Sequence, residues 1–366
     1  MTTEFGRFFL PGPTEVRPEV LEAMTRPVIG HRGPEMSALL REVDAPLRAI
    51  FRTSRPVYVS SSSATGLMEA AVRNGVRRRA LALVNGAFSA RFRDLVTDCG
   101  REVETYEVEW GGVHDPEEVL RLLGGGGFDA VTVVHSETST GALNPVHDLA
   151  EAVRTAERET GEEILFLVDG VTSVGGAWVE AGEWELDLLV TGSQKALALP
   201  PGLAFATVTP RFLRRAESIP GRGQYFDLVE FDRQWERFQT PNTPAVPLIY
   251  ALVEQVRRIE AEGIGDRIAR HRAMAERCWE WTAEAGAQWE LGVLAPPGFR
   301  SPTNTTITLP GHIRGSRVAA ALEARGWTIA PGYGRLRDTT IRIGHMGDHT
   351  VEELDALLAE LEEVLG

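Results

Sequence analysis

Lys195 stands in Val190-Thr191-Gly192-Ser193-Gln194-Lys195-Ala196-Leu197, directly after an apolar run, and 26 positions beyond Asp169, which follows another apolar run, Ile164-Leu165-Phe166-Leu167-Val168. A lysine at the end of a buried strand is poorly hydrated, so its pKa falls and its neutral amine can attack a carbonyl to form a Schiff base. A carboxylate at the end of a neighbouring strand can hold a proton on a pyridine nitrogen. An imine-forming lysine and an acidic partner for a ring nitrogen are the two groups that pyridoxal phosphate chemistry asks of a protein.

Both residues need strands to carry them. Seven β-rich runs alternate with helical stretches: Val57-Val59, Ala80-Val84, Val103-Tyr106, Ala130-Val134, Ile164-Val168, Leu186-Val190 and Ala204-Val208. Near-continuous apolarity indicates strands buried on both faces, hence an α/β protein whose mainly parallel seven-stranded sheet is covered by helices. In such sheets ligands bind beyond the carboxyl ends of the strands. There the polar segments fall: Ser60 to Gly66, Asn85 to Phe88, His135 to Gly141, Asp169 and Lys195. The first of them enters a helix starting near Leu67; its small residues, hydroxyls and helix N-terminus suit a phosphate. Taken alone, the segment fits a serine-rich N-cap equally well.

The pattern changes after about residue 245. A long amphipathic stretch from Pro247 to about Gly286, strands at Asn304-Leu309 and Thr339-Ile343, a helix near Ser316-Arg325 and a helix Thr350-Leu365 predict a smaller α+β domain. The expected division is an N-terminal arm and substrate loop (1-18), a large domain (19-245) and a small C-terminal domain (246-366). Val351, Leu354, Leu357, Leu358, Leu361 and Leu365 share one face of the final helix, which therefore packs inward. Gly124-Gly127 reads as a surface loop, since no helix follows it directly.

Composition narrows the function classes. The chain has 366 residues, with 38 Lys+Arg against 52 Asp+Glu and a formal net charge of -14, so neither nucleic acid nor an anionic membrane is an expected partner. The run Arg77-Arg78-Arg79 reads as a solvated turn. Two cysteines, Cys99 and Cys278, form no metal or disulfide spacing. No long apolar span occurs and Met1-Arg7 lacks a signal-peptide pattern, so a cytoplasmic location is expected.

With these residues in place, the chain resembles the class V aminotransferases of the fold type I pyridoxal phosphate enzymes, in particular the alanine-glyoxylate and serine-pyruvate group. Phe9-Leu10-Pro11-Gly12-Pro13-Thr14, Gly30-His31-Arg32-Gly33-Pro34-Glu35, Ser136-Glu137-Thr138-Ser139-Thr140-Gly141, Val168-Asp169-Gly170-Val171-Thr172-Ser173, Gly192-Ser193-Gln194-Lys195 and Arg342-Ile343-Gly344 follow in the family's order. Each is weak alone, whereas six in sequence are specific.

The resemblance implies a role for each matching residue. Lys195 would bond covalently to pyridoxal 5'-phosphate and shuttle the substrate proton, and Asp169 would bind the ring nitrogen. Phe88 would stack on one ring face, where the family also uses tryptophan, Val171 would pack on the other, and Thr138 would touch the phenolic oxygen. Ser63, Ala64 and Thr65 would form the phosphate loop, with Gln194 as a further ligand. Thr240 and Thr243 would reach the phosphate of a neighbouring subunit, which implies a homodimer with shared active sites; the family often has tyrosine where Thr240 stands. Pro11 and Gly12 would line the substrate site. Arg342 would fork onto the substrate α-carboxylate. The implied reaction moves an amino group from a small amino acid, alanine or serine, to a small 2-oxo acid, glyoxylate or pyruvate, by a ping-pong mechanism.

Alternatives within the same architecture are an aminotransferase of a phosphonate amine such as 2-aminoethylphosphonate, and a lyase or desulfurase. Neither cysteine sits in a Gly-rich loop of the kind a desulfurase thiol requires. His345, Asp348 and His349 lack a fourth ligand, so no metal site is expected; Asp348 reads instead as an N-cap and His345 as a pocket-lining or solvated imidazole. His135 is expected to be a hydrogen-bonded wall of the site, His31-Arg32 to lie near its entrance, Gln224-Asp227 to form a turn and Trp235 to pack.

Overall fold

The structure, a computed structural model, describes residues 5–366. The first four residues of the expected arm lie outside the described residues. Every predicted strand of the large sheet forms within two residues of its expected bounds: β1 (Tyr58–Ser60), β2 (Arg79–Val84), β3 (Glu102–Glu107), β4 (Ala130–Val134), β5 (Leu165–Asp169), β6 (Leu188–Gly192) and β7 (Ala204–Val208). Their order across the sheet is β1-β7-β6-β5-β4-β2-β3. β2, β3, β4, β5 and β6 run parallel, and β7 alone is antiparallel to its neighbours β1 and β6.

Burial explains the sequence pattern. β4, β5, β6 and β7 are buried at every position, because helices cover both faces. β3 is the edge strand, with Glu102, Thr105 and Glu107 exposed and the rest half-buried, and its charged residues blunt the free edge. Register places the chemistry: Asp169 pairs with Val134 on one side and Val190 on the other, at the carboxyl end of the parallel block. Lys195 follows three residues after β6 ends.

The C-terminal region forms a four-stranded antiparallel sheet of β8 (Gly292–Val293), β9 (Thr305–Thr308), β10 (Ala330–Pro331) and β11 (Thr340–Ile343), in the order β8-β9-β11-β10. Helices Ile264–Ala283, Gly315–Ala324 and Val351–Leu365 complete it, and the final helix buries Leu354, Leu357, Leu358 and Leu361 as predicted. Two hydrophobic clusters result. The first runs from Val20 to Ile259, whereas the second takes Met274 onward together with Phe9 of the N-terminal arm. Helix Val246–Glu262, expected within the small domain, buries Ile249, Leu252 and Val256 in the first cluster, so the change of core falls beyond residue 259 rather than at 245.

Three local expectations are corrected. The single amphipathic stretch after Pro247 is two helices, broken at Gly263, whose φ of +86° closes one helix and opens the next. The cap of the final helix is Thr350, not Asp348: its hydroxyl accepts from Glu353 N, and Glu353 Oε2 accepts from Thr350 N at 2.9 Å, forming a capping box. Asp348 instead accepts from Arg267 Nη2 at 2.8 Å and from Gln255. His345 is fully buried rather than solvated, bonded to Thr305 Oγ1 at 2.8 Å. Arg77-Arg79 form the expected turn, folded around the Asp129 carboxylate, which accepts all three of their backbone N–H groups.

Candidate active site

A cleft at the carboxyl ends of β4 and β5 is lined by Ser63, Ala64, Thr65, Phe88, Thr138, Asp169, Val171, Gln194 and Lys195. Nine of the residues singled out from the sequence thus converge on one space. Each arrives by a local rule. Ser63 caps the helix Ala64–Gly75 from an extended backbone, its hydroxyl making no cap bond, so the hydroxyl and the N–H groups of Ala64 and Thr65 remain available to an anion, while Gly66 N donates to Ser63 O. Phe88 opens the helix Ala87–Asp98 after β2. Thr138 lies in the turn after β4, its hydroxyl 2.6 Å from Thr172 Oγ1.

Asp169 is 3% exposed; its Oδ1 accepts from Val171 N at 2.8 Å, and among the described residues no donor meets its other oxygen. Burial pushes its carboxyl up to about 7, with the Val171 N–H pulling the other way. Lys195 is 7% exposed and donates to the carbonyl of Pro11. Burial first, and the positive charge of Arg342 second, hold its amine down at about 8. The amine and the acidic group are both buried and line the same cleft.

The N-terminal arm closes over the lysine. Thr14 N donates to Gln194 O at 3.0 Å and Thr14 Oγ1 to Lys195 O at 3.0 Å. Gly12 adopts φ +111°, and a Cβ there would stand 2.5 Å from Lys195 Nζ, so only glycine lets the arm approach so closely. Pro11 and Gly12 therefore touch the reactive amine itself.

Arg342, on β11, is 8% exposed; it donates through Nε to Pro331 O at 3.1 Å and through Nη1 to Thr138 O at 3.4 Å, and lies over the Tyr333 ring. No carboxylate pairs with it among the described residues. Burial lowers its pKa to about 10, which leaves it charged at neutral pH.

Thr240 and Thr243 lie outside this cleft. Their loop borders Ser60 and Ser61 and is tied down by Arg32, whose guanidinium donates to Thr240 O at 2.6 Å and Pro241 O at 2.9 Å, and by His31, 3.4 Å from Thr243 Oγ1. His135 is buried behind Asp169: its N–H donates to Asp169 O, its Nδ1 lies 3.0 Å from Ser173 Oγ, and burial depresses its pKa to about 4, so it is neutral. Cys278 is buried in the second cluster, where burial pushes its thiol up to about 12; neither it nor Cys99 lines the cleft.

Several participants carried no role in the sequence reading. Arg91 and Met68 also line the cleft, and Arg91 stacks over Phe88 with its charge felt at Asp169. Arg91 follows Phe88 at helical i+3 spacing, a signal that could have found it. Tyr333 packs against both Phe88, at 5.3 Å between centroids, and Arg342. Glu137 is wholly buried beside them.

The sheet, and a cleft lined by both a buried amine and a buried carboxylate, match the architecture of fold type I aminotransferases. The family model for the class V aminotransferases matches residues 57–288, and the chain belongs to that family. It is 37% identical to an uncharacterized aminotransferase of Methanocaldococcus jannaschii over 97% of this chain and 91% of that one. It is 32% identical to the serine–glyoxylate aminotransferase of Methylorubrum extorquens, covering 94% and 87%. The crystal structure of alanine–glyoxylate aminotransferase from Nostoc sp. superposes with a TM-score of 0.90 at 31% identity, covering 98% of this chain and 95% of that one. No helix among the described residues is long and apolar enough to cross a membrane.

Proposed function

We propose that this chain is a pyridoxal 5'-phosphate-dependent aminotransferase that moves an amino group from a small amino acid, alanine or serine, to a small 2-oxo acid, glyoxylate or pyruvate, and that it works as a homodimer with shared sites. The observation that carries the reading is a buried amine and a buried carboxylate lining one cleft, neither with an opposite charge in hydrogen-bond reach among the described residues. Two such groups are costly to bury for packing alone.

When bound, the cofactor supplies a carbonyl carbon open to amine attack and a ring that draws electrons from it. The chain's residues then divide the work. Ser63, Ala64 and Thr65 offer hydroxyls and helical N–H groups to the phosphate, and the Gln194 side chain adds another. Phe88 and Val171 take the ring faces, and the Thr138 hydroxyl meets the phenolic oxygen. Asp169 holds a proton on the ring nitrogen; a cation there supplies the charge its buried carboxylate lacks. Arg342 orients the substrate by its α-carboxylate through two parallel hydrogen bonds. Lys195 Nζ, held well below the ordinary lysine value by burial, would take the proton from the substrate Cα and hand it on within the site. The arm carrying Pro11 and Gly12 excludes water from that amine.

Glyoxylate is the acceptor in the names of both the Methylorubrum relative and the Nostoc structure, whose donors, serine and alanine, are small monocarboxylates. Among the described residues Arg342 is the one buried guanidinium assigned to a substrate carboxylate, which suits such donors. The loop bearing Thr240 and Thr243, fastened outside its own cleft, is suited to reach a partner's. Two experiments test the reading. Loaded protein should lose its cofactor absorbance band on addition of L-alanine and regain it with glyoxylate; release of pyruvate and ammonia from L-serine without an acceptor would replace transamination by elimination. Mixed Lys195→Ala and Thr243→Ala protomers should recover activity toward about a quarter of wild type, the share of intact sites in a statistical mixture of dimers; no recovery refutes the shared site.

A further inference from the structure

The cleft's Phe88 wall stands on the first turn of the helix Ala87–Asp98, and the way that turn is held singles out one side chain. Glu137 is wholly buried, and its carboxylate collects the turn's orphan donors. Phe88 N reaches Oε2 at 3.2 Å and Ser89 N reaches it at 2.9 Å. Ser89 Oγ donates to Oε2 at 2.9 Å while accepting from Asn85 N and Gly86 N, each at 3.0 Å. Ser139 Oγ donates to Oε1 at 2.6 Å while accepting from Ala87 N at 3.0 Å, and Ser139 N reaches the same oxygen at 3.1 Å. Five successive backbone N–H groups, from residue 85 to residue 89, therefore end on one carboxylate, two directly and three through serine hydroxyls.

The geometry points to Glu137 as a positioning residue of the transamination site: its carboxylate fixes the turn that aims Phe88 into the cleft. The inference rests on the pyridoxal phosphate reading above for the meaning of Phe88's aim, but the hub exists without any ligand. A carboxylate suits the place because every contact is a donor. The glutamine isostere presents N–H₂ to one of the two donor groups and leaves those donors unsatisfied. Gly86 gives independent support, since a Cβ there would collide with the Glu137 side chain and stand 2.5 Å from Ser139 Oγ.

The charge acts on two groups. The charged groups around Lys195 are Arg342, Asp169 and Glu137, and those around Asp169 are Glu137, Lys195 and Arg91. Glu137 favours the protonated form of both, so neutralising it moves the Lys195 amine and the Asp169 carboxyl to lower pKa.

The test compares wild type, Glu137→Gln and Glu137→Asp as full-length, cofactor-free protein, reading backbone amide exchange over residues 85–89 and the pH midpoint of Lys195 acylation by acetic anhydride. Glu137→Gln is expected to speed exchange by roughly tenfold or more, as one lost net hydrogen bond per opening predicts, and to lower the acylation midpoint below about 8. Glu137→Asp keeps the charge but withdraws it, so exchange rises while the midpoint moves less. On loading, Glu137→Gln is expected to slow the alanine half-reaction by up to roughly a hundredfold, the cost of a misplacement near 1 Å, with donor affinity nearly unchanged because Arg342 is untouched. Should that variant not fold, Ser139→Ala removes the relay to Ala87 N together with one hydroxyl donor to Oε1 while leaving the carboxylate in place, and faster exchange at Ala87 and Phe88 is expected. Wild-type exchange and an unmoved midpoint in Glu137→Gln, or unchanged exchange in Ser139→Ala, overturn the inference. A wild type that takes up no pyridoxal phosphate defeats the functional reading instead and leaves the exchange result standing.

Discussion

Replacing Lys195 by methionine should stabilise the cofactor-free protein at neutral pH, the opposite of what removing a buried, hydrogen-bonded side chain ordinarily does. The amine's pKa falls from 10.5 unfolded to about 8 folded. Below pH 8 both states carry the proton, and the folded state bears the whole penalty of burying it: about 2.5 units at 1.36 kcal/mol each, roughly 3 kcal/mol. Between pH 8 and 10.5 the folded state sheds the proton first and the penalty shrinks; above 10.5 it is gone. Methionine fills a similar volume without charge but leaves the Pro11 carbonyl without its donor, which costs about 1 kcal/mol. The net expectation is roughly 2 kcal/mol in favour of Lys195→Met at pH 7, declining to about zero near pH 10. For 366 residues at about 2.1 cal/mol/K each, that is a rise in Tm of roughly 2–3 °C. Thermal unfolding of both cofactor-free proteins from pH 7 to pH 10 measures it. A variant less stable than wild type at pH 7, or a difference that does not change with pH, refutes a desolvated amine at this position.

Two further substitutions probe the substrate clamp and the Phe88 wall. Arg342→Lys keeps the charge and loses the fork, so the donor should bind roughly 10- to 100-fold more weakly, from about 1.5–3 kcal/mol of charge-assisted bonding, while cofactor affinity stays as it was; spectral titration with L-alanine separates the two, and equal donor affinity removes Arg342 from the carboxylate site. Gly86→Ala drives a methyl into the Glu137 side chain and should cost about 1–3 kcal/mol by overpacking; calorimetry that finds an unchanged Tm denies that the approach of the two segments is tight.

The large sheet was legible because burial on both faces leaves continuous apolar runs, and each run became a strand. The chemistry at strand ends was legible for a related reason: Asp169 and Lys195 are charged residues attached to stretches that exclude water. What escaped the sequence depends on contacts between distant segments. Glu137 stood in plain view within Ser136-Gly141, yet its role exists only because the helix starting at Ala87 points its N–H groups at it. The break at Gly263 was hidden because apolar periodicity resumes on its other side. Thr350 was passed over for Asp348, since both precede the final helix and only the Glu353 reciprocal bond decides between them. The assignment of helix Val246–Glu262 to the first core could not be read from its own pattern, which says that one face is buried but not against what.

Two of the motifs, Leu10-Pro11-Gly12 and Arg342-Ile343-Gly344, lie more than 300 positions apart and are nevertheless one device. Gly344 N donates to Phe9 O at 2.8 Å, and a Cβ on Gly344 would stand 2.5 Å from Pro11 Cα. That glycine lets the arm lie directly on the end of β11, and Phe9 anchors it by filling the second core. Gly12 then lets the same arm press onto Lys195. The amine's low pKa is therefore not a property of β6 alone. It is produced where an arm that packs into the second core covers a residue that follows the large sheet, and the charge of Arg342, on β11, depresses the amine further. Any change that lifts the arm should raise the Lys195 pKa.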